Sequence, residues 1–473
     1  MLFNSLAFAL FLPIVLAIYY PLGHKGQNRW LLAASLFFYA CWDWRFLSLL
    51  FITMIVDFLV AAHLERLQER GAPETVRKRV LAISMACNLA MLGFFKYFNF
   101  FIGSMQNLLH TLHVPFEPHV LAIVLPVGIS FFTFQSMSYT IDVYRGELKP
   151  TRDFWNFALF VSFFPHLVAG PIMRAVDLLP QIESARRVSR QQIVDGIHLM
   201  IWGLWKKVVV ADGLAPLVNT TFNAATQSGF DTLSATVAFA FQIYCDFSGY
   251  TDIARGVAKL MGFELTLNFN LPYFAVSPQD FWGRWHISLS NWLRSYLYFP
   301  LGGNRDGPLR TYRNLLLTMI LGGLWHGAAW NFILWGLYQG MLLVVHRLAH
   351  ENWPASWRSD HPRRWTWLKI IVMFQFTCYG WLLFRANSLH QIVTMTASLA
   401  HPLDTFDWDR IGHIAVYALP LMLVQLYQYF SGELLFMKRL RLPVELKTAC
   451  YSALMYMVAF QAAAPQAFIY FQF

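Results

Sequence analysis

His326 stands in the apolar segment LGGLWHGAA, from Leu321 to Ala329. Gly322, Gly323, Gly327, Ala328 and Ala329 carry little bulk and let neighbouring backbones approach closely. Such a segment can hold an imidazole deep in a helical bundle beside a narrow passage. An uncharged ring at that depth can accept a proton, so the chemistry implied is general-base activation of a hydroxyl. The alternative is an imidazole that only hydrogen-bonds from helix to helix.

A second constellation runs from Gln242 to Asp252 and includes Asp246, Ser248 and Tyr250. On a helix, Asp246 and Tyr250 share a face, and Asp252 and Arg255 form an i,i+3 pair. Gly249 permits either close packing or a break. Polar groups this dense in apolar sequence imply an internal hydrogen-bond network, either a scaffold holding broken helices together or a substrate contact.

A third cluster contains Arg284, Trp285, His286, Asn291 and Arg294. Arginines near an interface can pair with phosphates, and indoles anchor at headgroup depth. The cluster reads as a mouth for a phosphate-bearing donor or anionic lipid, or else as an interfacial belt. His286 is the rival catalytic histidine, with a gate or entrance role more natural among amphipathic neighbours. His166 lies between Pro165 and Pro171, which free backbone groups to line a cavity, and reads as structural. No acidic ligand sits at motif spacing from His286 or His326, so no metal site is expected. Neither a G-x-S-x-G elbow nor a GxxxxGK[ST] phosphate loop is present. Five scattered cysteines without CxxC spacing predict neither a disulfide framework nor a zinc site.

The elements that must position these residues are membrane helices. The 473 residues are 57% hydrophobic, 17% aromatic and 13% charged, with a mean hydropathy of +0.43. Soluble domains carry about 25% charge, so lipid is the main solvent here. The net charge of +10 does not point to nucleic acid. Its basic residues fall between apolar segments, as at Arg77–Arg79 or Arg186, Arg187 and Arg190, and read as headgroup contacts that set topology.

Spans are expected at Leu2–Tyr20, Trp30–Trp42, Phe46–His63, Val80–Phe98 and Val120–Thr140. The second is too short to cross and reads as part of a shallow hairpin. The first lacks a basic n-region and reads as a retained span, not a cleaved signal. The middle is irregular over Trp155–Met173, Ile197–Val210 and Thr232–Gly262, where buried charges call for broken or re-entrant segments. From Phe269 to Asn304, aromatic residues mixed with Arg, Pro and Gly suit short interfacial helices and a re-entrant cap. Spans resume at Asn314–Trp325 and Ala328–Val345, read as one long broken helix, and at Trp367–Phe384, Ile411–Tyr427 and Thr448–Ala463. Basic loops at Leu64–Arg79 and around Lys438, Arg439, Arg441 and Lys447 face the cytoplasm, and the stretch from Phe101 to His119 lacks Lys and Arg and faces outward. Both termini are then outside, which requires an even number of crossings. No soluble domain or internal repeat is expected, so residues 1–473 read as a single integral membrane domain.

The chain resembles the membrane-bound O-acyltransferase superfamily, and within it the bacterial alginate O-acetyltransferase membrane subunits. The resemblance rests on Pro126–Gly146, Phe163–Ile172, Gln242–Gly256, Asp280–Arg305 and Leu321–Gly340, which occur in the family's order. It implies an all-α polytopic fold, a ring of helices with re-entrant segments around a central tunnel that contains the histidine. By the resemblance, His326 matches the embedded active-site histidine and His286 falls where the family has Asn or His on the route to the centre. Asp246, Ser248, Tyr250 and Asp252 match a signature that is mainly architectural.

The resemblance further implies a bacterial inner-membrane enzyme. It takes an acetyl group from a cytoplasmic thioester, acetyl-coenzyme A, and passes it outward for O-acetylation of an exported polysaccharide, directly or through an exported acetyltransferase partner. Asn291 and Trp285 are then candidate oxyanion or thioester-positioning donors, and Arg284 and Arg294 candidate contacts for donor phosphates. Two other classes fit buried charges and broken helices, a transporter and a noncatalytic scaffold of a polysaccharide-modification complex.

Overall fold

The computed structural model describes residues 1–115, 121–352, 365–440, 442–460 and 466–469, and among them every regular element is a helix. Lipid offers no hydrogen bonds, so an apolar run must satisfy its own N–H and C=O groups, and a helix does so within one segment. Among the described residues, five helical runs are long and apolar enough to cross a membrane: His24–Glu69, Glu74–Thr111, Trp330–Asn352, Thr366–Arg385 and Trp408–Ser431. The first holds 46 residues, about twice what a ~30 Å hydrocarbon core takes, and is interrupted by a 3₁₀ turn at Trp44–Phe46. The chain is an all-α, multi-span membrane protein.

The chain divides into two compact units, Met1–Gly196 with Ala254–Thr266, and Ile197–Ile253 with Leu267–Phe473. The first unit holds α1 (Leu6–Tyr19), α2 (His24–Asp43), α3 (Leu47–Glu69), α4 (Glu74–Leu92), α5 (Phe98–Thr111), α6 (Ile129–Arg145), α7 (Phe154–Ser162), α8 (Phe164–Leu167) and α9 (Ala175–Glu183). A π-helical stretch, Gly93–Tyr97, separates α4 from α5. Asp57 of α3 is buried and accepts hydrogen bonds from Asn88 of α4 at 2.9 and 3.1 Å and from Ser136 of α6. Ser84 and Thr140 tie α4 to α6 beside it, 2.9 Å apart.

The second expected span is longer than its apolar letters, because α2 is a 20-residue helix that begins at His24. Its polar first turns have partners. Asn28 donates to the Ile182 carbonyl at 2.8 Å, His24 Nε2 lies 2.7 Å from the same carbonyl, and Arg29 pairs with Asp153. Arg186 differs from the headgroup contact expected of it. Its guanidinium donates to Asn28 at 2.5 Å and to the Ile182 carbonyl at 3.2 Å, and it covers the Phe263 ring. The span expected from Val120 begins as helix only at Ile129, behind Gly128 at φ +78°. Val120 itself, His119, Arg441 and residues 461–463 of the last expected span lie outside the described residues.

The second unit holds α11 (Asp212–Asn223), α13 (Pro278–Arg284), α14 (Ile287–Leu293), α15 (Pro308–His326), α16 (Trp330–Asn352), α17 (Thr366–Arg385), α18 (Leu389–Ser398), α19 (Trp408–Ser431), α20 (Phe436–Arg439) and α21 (Val444–Phe460). Two further helices, α10 (Arg190–Leu204) and α12 (Gly229–Leu260), are each divided between the units. Further π-helical stretches follow α10 at Trp205–Ala211 and α14 at Arg294–Tyr298.

Two sequence expectations change here. Thr232–Gly262 is not broken, since α12 runs 32 residues straight through Asp246, Gly249 and Asp252. Gly249 serves packing: a Cβ there would lie 2.7 Å from the Gly203 carbonyl oxygen of α10. Nor are Asn314–Trp325 and Ala328–Val345 one broken helix. They form an antiparallel hairpin, α15 and α16, turning at Gly327–Ala329. A Cβ on Gly323 would lie 2.2 Å from the Phe332 carbonyl oxygen, and one on Gly336 would lie 2.3 Å from that of Met319. Only glycine permits backbones this close.

Candidate functional site

His326 is the last residue of α15. The helix starts on Pro308, whose missing N–H costs nothing at a first-turn position, and it ends because Gly327 is extended at φ −160°, ψ 150°. The glycine hairpin fixes what surrounds the imidazole. Trp335 from α16 meets it edge-on with ring centroids 5.1 Å apart, Phe384 from α17 at 5.5 Å and Trp325 at 5.1 Å. His326 is 5% exposed, enclosed by aromatic rings and not facing lipid.

His286 comes from a different part of the unit, between α13 and α14. Helix α13 is well started, with Ser277 accepting from the Asp280 N–H and Pro278 in its first turn. Its C-cap, Trp285, is followed by His286 in the left-handed region at φ 43°, ψ 52°. That backbone is uncommon for a non-glycine residue and needs surrounding structure to hold it. The ring is fully buried, its centroid 4.7 Å from Phe247, 6.1 Å from Trp325 and 6.4 Å from His326. The hairpin and the α13–α14 turn therefore bring together two imidazoles 40 residues apart in sequence. At that separation the rings are too far apart for a direct hydrogen bond.

Helix α12 packs on both this centre and an ion network. Phe247 and Tyr244 face Phe269, Trp285 and His286. Another face meets the π-helical Trp205–Ala211 stretch. Lys207 Nζ donates to Asp212 and Asp246 at 2.7 Å each and to the Gln466 carbonyl at 3.0 Å. Lys206 Nζ donates to Asp252 at 2.7 Å and Ser248 at 2.9 Å. The Ile469 N–H donates to Asp246, and the Phe468 ring packs on Tyr250 and beneath Lys207. Buried charges persist only when paired and hydrogen-bonded, and these are. Gln242, with Asp212, Asn219, Asp246, Arg385 and Gln466, lines a polar pocket in the same unit. Arg385 follows directly on the Phe384 that packs against His326.

The remaining candidates fall in three places. Trp285 is buried in an aromatic stack with Phe269, Phe281 and Trp381. Arg284 donates to Asp280 one turn earlier at 2.7 Å and to the Asn270 carbonyl at 3.4 Å. Asn291 and Arg294 are exposed and joined by a 3.4 Å hydrogen bond. His166 lies in the other unit, its Nε2 2.6 Å from Gln135 Nε2. Sequence reasoning missed Lys206 and Lys207 as the partners of the α12 carboxylates. Two adjacent lysines in apolar sequence demand counter-charges, and that was the available signal. It also missed Asn268, whose Oδ1 lies 3.2 Å from His286 Nδ1. Among the described residues no cluster of three His, Cys, Asp or Glu could hold a metal ion.

Residues 147–390 match the membrane-bound O-acyltransferase family. A probable alginate O-acetylase of Azotobacter vinelandii is 41% identical, over 84% of this chain and 78% of the relative. A peptidoglycan O-acetyltransferase of Helicobacter pylori is 34% identical over 100% of this chain and 98% of its own. A teichoic acid D-alanyltransferase of Bacillus subtilis is 28% identical over 58% of this chain and 71% of its own.

Proposed function

The chain belongs to the membrane-bound O-acyltransferase family and is an O-acyltransferase of the bacterial inner membrane. From that premise we propose that it passes an acetyl group from cytoplasmic acetyl-coenzyme A outward for O-acetylation of an exported polysaccharide. The similarity to alginate O-acetylases and to a peptidoglycan O-acetyltransferase supports the acetyl group and the glycan destination. Delivery is direct or runs through an exported acetyltransferase partner. The family match spans residues of both compact units, which supports reading them as one acyltransferase domain.

The observation that carries this reading is the enclosed pair of imidazoles, His326 and His286, with ring centroids 6.4 Å apart among buried aromatic rings. In the proposed step His326 takes the proton of an acceptor hydroxyl as its oxygen attacks the thioester carbonyl. The tetrahedral centre collapses, the carbon–sulfur bond breaks and the coenzyme thiolate leaves, reprotonated from the imidazolium. The family's tunnel to the centre is the route this step requires. Exposed Arg294 suits contact with the donor's phosphates, Asn291 beside it suits positioning of the thioester donor, and Arg284, committed to Asp280, suits phosphate contact less. Trp285 supports the floor of the centre, Gln242, Asp246, Ser248, Tyr250 and Asp252 hold helices of the same unit, and His166 holds helices of the other unit.

The test is acetyl transfer by purified protein in lipid, with labelled acetyl-coenzyme A and candidate glycan acceptors. His326→Ala is expected to lower the rate about 10²–10⁴-fold with folding retained. Normal turnover by folded H326A overturns the general-base role. Solute flux without any acetyl transfer would favour a transporter instead.

A further inference from the structure

We propose that Asn268 is a positioning residue that fixes His286 as the Nδ1–H tautomer, so that Nε2 carries the lone pair and is the ring's proton acceptor. The assignment follows from hydrogen-bond directions alone. Asn268 is buried, and its Oδ1 sits 3.2 Å from the Ser288 backbone N–H and 3.0 Å from the Ser288 hydroxyl. A backbone N–H only donates, so the amide atom facing it must be the oxygen. Turning the amide over would set its NH₂ against that N–H. The same oxygen lies 3.2 Å from His286 Nδ1. An amide oxygen only accepts, so the proton of that contact belongs to Nδ1. In the neutral ring the lone pair then resides on Nε2, because the bond made by one nitrogen decides the state of the other.

The backbone serves the same purpose. The Asn268 carbonyl accepts the Ile287 N–H at 3.0 Å, so one residue holds the two residues that follow the left-handed His286 as well as the proton of its ring. Neither feature is visible in sequence, since Asn268 sits 18 positions away between apolar Leu267 and Phe269.

The consequence for acyl transfer rests on the reading above; the tautomer does not. A neutral Nδ1–H imidazole turns a lone pair toward its other neighbours. It can accept a hydrogen bond from a substrate hydroxyl. It cannot donate from Nε2 to an oxyanion. His286 is thereby assigned to the proton-accepting side of the centre.

The experiment is ¹⁵N NMR of histidine-labelled full-length protein in lipid nanodiscs, with the His286 signals identified by their loss in His286→Gln. The expected result is a protonated Nδ1 and an unprotonated Nε2 in the unsubstituted protein. Asn268→Asp keeps an accepting oxygen and should keep that pattern. Asn268→Leu should lose it and lower acetyl transfer at least tenfold, with the aspartate variant restoring much of the rate. A proton on Nε2 of His286 in the unsubstituted protein overturns the proposal, and this measurement stands even if N268L fails to fold. An unchanged tautomer in folded N268L overturns it too. The expected tautomers together with no acetyl transfer by the unsubstituted protein support the assignment and overturn only the acetyl-transfer reading.

Discussion

Lys207 donates to two carboxylates and a backbone carbonyl with no measurable exposure of its side chain. Its removal would strand Asp212 and Asp246 against each other without a cation. Breaking a buried pair from one side costs about 3–5 kcal/mol, because the remaining charge stays desolvated. Lys207→Met should therefore lower the thermal unfolding midpoint in nanodiscs sharply. The triple change with Asp212→Asn and Asp246→Asn should recover much of the loss, as read by intrinsic fluorescence. At this scale the sequence was legible in its reactive groups and silent about their partners. His326 and His286 stand out as imidazoles in apolar surroundings. Asn268 does not, because an asparagine between Leu267 and Phe269 has no periodic or motif signal. Asn291 and Arg294 look equivalent to Trp285 in sequence, yet both are exposed at the end of α14, and the Trp285 indole at the end of α13 is buried.

Elements carry the placement of His326. The α15–α16 hairpin closes on Gly323 and Gly336, where even a methyl group would overlap a carbonyl oxygen. Gly336→Ala should cost about 1–3 kcal/mol of overpacking strain. It should also push the Trp335 wall away from His326. Misplacing reacting groups by about 1 Å can cost about 10²-fold in rate, so acetyl transfer should fall further than stability does. The assay is transfer rate against unfolding midpoint for G336A, and parallel modest losses in both would count against a positional effect. Apolar length and small-residue content made this hairpin partly readable, and the long apolar spans were readable outright. The reversal of direction at Gly327 was not, since an apolar run with one soft glycine also describes a continuous helix. The unbroken α12 escaped for the opposite reason. Its internal charges look like breaks until Lys206 and Lys207 neutralise them.

For the whole molecule, orientation is the open quantity, and the basic loops set it. The connection around Gly71 carries Arg66, Arg70, Arg77, Lys78 and Arg79, and the stretch from Ala386 to Asp409 carries no Lys or Arg. In a version lacking its native cysteines, Gly71→Cys should react with an impermeant maleimide only after lysis. His401→Cys should react in intact spheroplasts. The reverse pattern would invert the topology. One feature of the fold then governs how any relative should be laid over this chain. Each π-helical stretch, at Gly93–Tyr97, Trp205–Ala211 and Arg294–Tyr298, accommodates one residue more than an α-turn. Since α-helical neighbours differ by about 100°, every side chain beyond such a point is rotated from where an uninterrupted helical wheel would draw it. A single-residue deletion there would leave an ordinary ladder and an intact-looking span. It would also swing Asp212 off its lysine, so length polymorphism of one residue is where a silent-looking change would disarm the protein.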